Sequence, residues 1–447
     1  MTTIRYVNDL GNGHSGYLDI GSGVTIATAS GQPIQVTTAS GVYVSTQPGG
    51  TAGDGFGRAR VTQPLTLFDS SHRYRDNGLW ATSSGSGGTA TFNANEGLVE
   101  LAVTTTSGSQ VTRETYKVAA YQPGKSLLFM TTFIMNPPKV NLRQRAGYFG
   151  ASNGLYIEVD GTTEPAFVER SSVTGSVVNT RVEQSNWNID PMDGTGPSGL
   201  TLDLTKAQIL WFDIEWLGLG TVRAGFVING QFVHCHSFHH ANEITSTYIT
   251  TASLPVRYEI TNTGTTASSS KLKQVCSTVI SEGGYELAGA PTHIEIPVAT
   301  PYDLTNVSTY YPVISVRLKA ANLDAISILS GLSILGITNN SRYSWDIVIG
   351  GTTTGGTWVS AGTNSAIEYN ITGTSFSSTG GRIVAGGYTA GSIQGASAID
   401  VLKDQLFKFQ LERNGLTNTP LELTLAIATD FAGADVLASL DIEEISR

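Results

Sequence analysis

Along most of the chain apolar residues alternate with polar ones in short runs rich in Thr, Val, Ile and Tyr. Clusters of Gly, Asn, Asp or Ser cut these runs roughly every ten residues, the spacing of strands joined by turns. The pattern predicts strands over 98–104, 115–120, 127–134, 155–159, 167–170, 209–217, 221–228, 231–236 and 256–260. Asn229-Gly230, set between Val222–Ile228 and Gln231–His234, predicts a two-residue type I′ hairpin, because both residues take positive φ at little cost. Helical periodicity is confined to a turn or two around Thr205–Gln208 and a stretch after Asp430. Many short strands at this spacing specify an all-β protein built of sandwiches or barrels.

Three regions differ in texture. Residues 1–57 hold four charged side chains, Arg5, Asp9, Asp19 and Asp54, and alternate only briefly, at Val24–Ala27 and Ile34–Thr37. Such a segment buries too little apolar surface to fold alone, so it is either a loose tail or, as is expected, an extended arm ordered along another chain. A cluster of arginines follows, Arg58, Arg60, Arg73 and Arg75, in isolation a solvated basic loop, but beside a polar arm suited to clasping a neighbour's carboxylates through bidentate pairs in assembly or anchoring. Residues 58–290 read as one large β domain, and 291–447 as a second, with alternating runs at 312–318, 325–329, 344–349, 406–411 and 421–427. The Gly/Thr/Ser-rich tract 350–395 fits surface loops or edge strands. No solenoid or propeller repeat is present.

Composition narrows the function. Only 14% of the 447 residues are charged and the net charge is −10, against roughly 25% charged in an ordinary soluble domain. An acidic balance is ill suited to phosphate backbones, so nucleic acid is not expected as a partner. No apolar run approaches the ~18 residues of a membrane helix, and no membrane insertion is expected. The start, MTTIRYVNDLGNG, lacks a basic head followed by an apolar stretch, so no secretory signal is expected. The 51 glycines lack a three-residue period, which excludes a collagen-like rod. Two cysteines, Cys235 and Cys276, make no disulfide framework; spacing leaves open one bridge or two buried thiols, and the thiols are expected.

Three groups of residues could carry chemistry. In Trp211-Phe212-Asp213-Ile214-Glu215-Trp216, strand alternation puts Asp213 and Glu215 on one face with Trp211. The segment resembles the Glu-x-Asp-x-Glu strand of the laminarinase-like glycoside hydrolases, which implies a concanavalin-like jelly roll. Where that family places its nucleophilic Glu, this sequence has Trp211. Without that carboxylate the retaining reaction loses its covalent intermediate, so no enzymatic activity is expected. An Asp/Glu pair holding arginines such as Arg223 across the sheet is the structural reading. A carbohydrate-binding face with Trp211 as stacking platform, in a binding module or a degenerate hydrolase, is the alternative functional one.

His234, His236, His239 and His240 lie within seven residues, four of the chain's seven histidines. His234 and His236 would share a face, and the turn beyond could bring His239 or His240 round to a divalent metal, one histidine per chain at a trimer axis being the favoured form. Hydrogen-bonded or surface histidines at a hairpin end are the simpler expectation, with no cofactor. Asp190 and Asp193 form a weak calcium candidate, since hard cations need six to eight oxygens.

One longer resemblance remains. Asp54–Val61 running into Pro64–Asp69 is similar to the junction after the N-terminal arm in structural proteins of tailed bacteriophages. Further similarity lies in Arg145–Phe149, Asn153-Gly154, Trp187-Asn188, Asp213–Gly220, Val222–Phe226, His240–Asn242, Leu254–Glu259 and Ser281–Gly284, covering roughly 54–290. The resemblance implies a virion component, whether fibre, spike, collar or capsid decoration. Its expected partners are copies of itself, as a homotrimer, and other capsid, collar or tail proteins, with host surface glycan at its outer end. The fold expected is therefore all-β: a concanavalin-like jelly-roll sandwich, then a second β-sandwich domain, behind an extended N-terminal arm.

Overall fold

A computed structural model describes residues 3–7, 15–19, 63–391, 397–399 and 408–446. The chain divides into two compact units, Met1–Val61 and Thr62–Arg447. Within the first, Thr3–Val7 pairs antiparallel with Ser15–Asp19 as a hairpin. The remaining arm, with Val24–Ala27, Ile34–Thr37, Arg58 and Arg60, lies outside the described residues.

The second unit is all-β and opens with a jelly-roll sandwich. Its first sheet runs, in spatial order, Val178–Glu183, Ala166–Ser171, Gly154–Asp160, Leu142–Phe149, Val256–Asn262, Gln110–Thr115 and Trp80–Gly85. Its second runs Gln231–Phe238, Val222–Ile228, Gln208–Ile214, Leu127–Ile134, Ser270–Ser281, Leu98–Val103 and Thr89–Asn93, with Leu65–Ser71 also on Ser270–Ser281. All pairs are antiparallel. The late strands Val256–Asn262 and Ser270–Ser281 enter the middle of each sheet and close long crossovers between strands formed far earlier. Inward residues of both sheets, among them Phe129, Tyr148, Phe212, Phe226 and Tyr258, share one core. Period-two alternation is clear where a strand has one wet and one dry face, as in Leu127–Ile134, whereas Leu142–Phe149, Gly154–Asp160 and Ala166–Ser171 are buried on both faces.

The predicted hairpin is present, with Asn229 at φ +52° and Gly230 at +77°. Three expectations are corrected. Residues 116–120 are loop rather than strand, their amides bonding out to other segments, as Tyr116 N–H to Leu79 O and Ala119 N–H to Leu254 O. Around Thr205 the chain makes a turn closed by Lys206 N–H on Asp203 O, and Gln208 already opens a strand, so no helix forms there. The stretch after Asp430 is the 13-residue strand Ala434–Ser446, whose Ala434, Val436, Ala438, Leu440 and Ile442 are all buried. Its Ala, Leu, Asp and Glu content suits a helix, but burial on alternate positions wins.

Ala434–Ser446 is the hub of a third sheet, pairing Ala290–Glu295, Tyr302–Leu304 and Ile326–Gly336. A fourth sheet is built on Tyr311–Leu318, Glu422–Thr429 and Arg342–Thr354. Side chains of these two sheets form a second core. The glycine-rich tract supplies its margins, Val359–Ser360, Ile367–Asn370, Ser375–Ser377 and Arg382–Ala390.

The two sandwiches are in direct contact. Ile326 and Ile328 from the third sheet belong to the first core, and Gln410 Nε2–H donates to Val118 O at 2.8 Å. Scarce charge is spent inside this region. Arg413 Nη1 lies 2.5 Å from Glu114, whose other oxygen meets Arg257 at 2.8 Å. From there charges of alternate sign follow one another across the sheet: Arg257–Glu259 on one strand at 2.6 Å, then Arg145–Glu259 at 3.1 Å, Arg145–Glu158 at 2.6 Å and Arg181–Glu158 at 2.7 Å. These pairs occupy the outer face of the first sheet, where Arg145 and Arg170 lie over the Tyr156 ring.

Candidate functional site

Leu210, Phe212 and Ile214 point into the core, so Trp211 and Asp213 project from the opposite, outer face of the second sheet. Antiparallel pairing sets Asp213 directly opposite Arg223 and Trp211 opposite Gly225. Asp213 therefore pairs with Arg223 across the strands, as the sequence suggested. The aspartate is nearly buried and the guanidinium is more than half exposed. Burial pushes the Asp213 carboxyl above the ordinary aspartate range; Arg223 opposes the rise, and the Glu282 and Glu215 carboxylates add to it.

Glu215 follows the strand, where the chain turns through Leu217 at φ +40° and Gly218 at +81°. Its carboxylate accepts the Thr221 N–H at 3.1 Å, while Leu219 and Gly220 N–H groups close on Trp216 O. The turn cancels strand alternation and swings Trp216 onto the same side as Asp213 and Glu215. A cavity of about 510 Å³ results, lined among others by Tyr121, Lys125, Asp213, Glu215, Trp216 and Arg223.

Asp213 and Glu215 are thus brought together, but Trp211 is not with them. Its ring is 5% exposed, seated on Gly225, where an added Cβ would come 2.9 Å from the indole. Phe232 and His234 cover it at centroid distances of 5.5 and 5.9 Å. Its Nε1–H is buried without a hydrogen-bond partner among the described residues. The aromatic surface bordering the cavity is Trp216, with Tyr121 edge-on to it at 5.3 Å. Trp216 stands in the same six-residue segment, and Gly218 and Gly220 just beyond it were the available signal that the strand stops early.

The four histidines do not converge. A β-bulge opposite Ala224 and Gly225 pairs Gly225 with His234 and Ala224 with His236, so the two histidines face opposite ways rather than sharing a face. His234 bonds Ser237 Oγ at 2.9 Å on the outer side. His236 accepts the Asn188 N–H at 3.3 Å, and burial pushes it down to about 4, helped by His234 and His239. His239 meets Thr221 at 3.4 Å. His240 is buried between Glu169, 2.8 Å from Nε2, and Gly220 O, 2.5 Å from Nδ1. Among the described residues no three metal-ligating side chains gather at one point.

Asp190 and Asp193 are likewise occupied locally. Asp190 accepts the N–H groups of Met192 and Ser198, each at 2.8 Å, and Asp193 accepts the Thr195 N–H at 2.8 Å. Arg73 and Arg75 are exposed, with no ion pair among the described residues. Both cysteines are free, but only Cys235 is buried; Cys276 is exposed at a bulge in Ser270–Ser281, which corrects the expectation of two buried thiols.

No family model matches the chain, and no curated protein does. Among solved structures, the chain is similar to a carbohydrate esterase from the Shiga toxin-encoding bacteriophage phi24B, at 13% identity over 49% of this chain and 99% of that one, with a TM-score of 0.30. It is similar to the β-glucanase of Bacillus licheniformis at 13% identity, over 47% of this chain and 96% of the other, again at 0.30. Peanut lectin matches at 11% identity, over 49% and 98% of the two chains, with a TM-score of 0.28.

Proposed function

We propose that the chain is a non-enzymatic structural component of a tailed-phage virion that binds host-surface glycan on the outer face of its jelly-roll sandwich. One observation carries the binding half of this reading. Both carboxylates bordering the 510 Å³ cavity are already engaged, Asp213 with Arg223 and Glu215 with the Thr221 N–H. Hydrolysis of a glycoside needs two carboxyl groups free to act on one bond. Here one carboxylate is tied to a guanidinium, the other to backbone, and Trp211 takes the nucleophile's place in the strand. What is left suits recognition: an aromatic edge beside fixed, oriented donors and acceptors.

The architectural half is supported by the similarity of residues 54–290 to phage structural proteins and by the charge-poor arm. In this reading the arm anchors the chain to the particle as part of a symmetric homo-oligomer, and the sandwiches project outward. Incorporation of chains lacking residues 1–50 into particles tests the anchoring, and wild-type occupancy would refute it. A glycan array read alongside a reducing-end assay tests the binding. Retention of a glycan without product, lost in Arg223→Ala, is expected; steady release of product would make the protein a hydrolase instead.

A further inference from the structure

Tyr121 and Trp216 line a second cavity as well. This is a cleft of about 660 Å³ between the jelly roll and the second β domain. Thr251 and Ser253 face it from the jelly roll, and Asn322 and Asp324 from the second domain. The two cavities thus meet at one aromatic pair, Trp216 half-buried and Tyr121 buried against it.

The chemistry of the cleft is specific. Asn322 ends the short 3₁₀ turn Ala320–Asn322, fixed by its N–H on Lys319 O at 2.8 Å. Its side-chain amide makes no hydrogen bond among the described residues, so a donor and an acceptor stand idle at the cleft. Thr251 Oγ1 accepts the Ser253 N–H at 3.0 Å, which leaves its own hydroxyl hydrogen to donate. Asp324 gives one oxygen to Arg413 Nε–H at 3.0 Å and keeps the other. That ion pair offsets the carboxylate charge at the cleft. Ala320 and Ala321 put no long side chain in the way. An uncharged ligand bearing many hydroxyls satisfies this set; a cationic or anionic one leaves most of it unused.

We infer that the glycan bound at Asp213, Glu215 and Arg223 is a neutral oligosaccharide chain that continues past Trp216 into the interdomain cleft, where Asn322, Thr251 and Asp324 hold its further units. This inference rests on the saccharide reading of the first cavity and adds the length of the ligand and the second domain's share in binding it.

The test uses the full chain and size-graded ladders of neutral glucans, mannans and galactans, from disaccharides to about eight units, titrated calorimetrically. Affinity for one series is expected to climb about ten-fold from its shortest to its longest member, a gain of about 1.4 kcal/mol. Ala321→Trp, at an exposed position, and Asn322→Ala should erase that climb while leaving the shortest ligand's affinity unchanged; Arg223→Ala should lower binding at every length. A flat dependence on length, with binding still sensitive to Arg223→Ala, overturns the extension and leaves the first site standing. A climb that survives Ala321→Trp also overturns it. Binding indifferent to Arg223→Ala, or absent for every ladder, removes the underlying reading and the extension with it.

Discussion

The His240 imidazole lies flat on the Tyr248 ring, with centroids 4.0 Å apart and planes within 3°. Each of its nitrogens faces an acceptor, Glu169 on one side and Gly220 O on the other, so only the doubly protonated ring donates to both. Burial works against that charge, but the hydrogen bonds to Glu169 and Gly220, with the Glu169 and Glu243 carboxylates, outweigh it and raise the histidine above its ordinary value. The folded state therefore holds this proton more tightly than the unfolded one. Its stabilisation is complete below the unfolded value of about 6.5 and drains away as pH rises through the raised folded value. The melting temperature of the wild type should exceed that of His240→Gln by more at pH 6 than at pH 9. A gap that stays constant across this range would show that His240 is not the titrating cation.

Arg413 and Glu114 make a second relationship with a measurable consequence. Both are almost fully buried, and they join the second β domain to the outer face of the first sheet. Arg413→Met removes one charge and leaves Glu114 with Arg257 alone. Breaking such a buried pair costs on the order of 3 kcal/mol. Because Ile326 and Ile328 still bridge the two cores, the expected result is loss of cooperativity rather than collapse. Scanning calorimetry should show one transition in the wild type and two in the variant. A single, unshifted transition in Arg413→Met would mean that apolar contact alone couples the domains.

Much of this architecture was legible in the chain, and the failures have physical causes. Asn229-Gly230 announced its hairpin because only a primed turn needs two positive φ angles in a row. Asp213 facing Arg223 across the sheet followed from strand alternation, with the register between them set by the turn after Ile214. Alternation misled wherever the chain stops being a regular strand. The bulge at His234–His236 turns two histidines to opposite faces, and the turn after Ile214 brings Trp216, not Trp211, to the cavity. The buried chain of charges from Arg413 to Arg181 was hidden for a different reason. Its members are separated by up to hundreds of residues and meet only because late strands enter the middle of sheets formed by early ones.

Gly225 is where the backbone must approach the Trp211 ring. An added Cβ would fall 1.9 Å from Val233 O and 2.9 Å from the indole, so Gly225→Ala forces either the neighbouring strand or the tryptophan to move. Overpacking of this kind costs about 1–3 kcal/mol. Tryptophan emission should change as Phe232 and His234 lose their seat on the ring, while Gly150→Ala, where an added Cβ meets nothing nearer than Pro255 at 3.7 Å, leaves the emission unchanged. Equal emission in wild type and Gly225→Ala would show that this face adapts freely and is not a fixed surface.

The two thiols should react on different clocks. Cys235 is buried beside the Met192 sulfur at 3.3 Å, and burial, with the nearby Asp190 charge, pushes its thiol up to about 12. Cys276 is exposed on the outer face of the second sheet, where nothing in the core shields it from reagent. Reaction requires the thiolate and access to it, and Cys235 lacks both in the folded state. An aromatic disulfide reagent at pH 8 should therefore modify one thiol per chain promptly and the second only as the chain unfolds. Cys276→Ser should abolish the fast phase and leave the slow one intact. If Cys276 reacts slowly in the assembled protein but quickly in dissociated chains, the outer face of the second sheet is covered by a neighbouring copy. The proposed glycan site would then be completed or closed by assembly, and equal rates in both preparations would mean that no neighbouring copy covers this face.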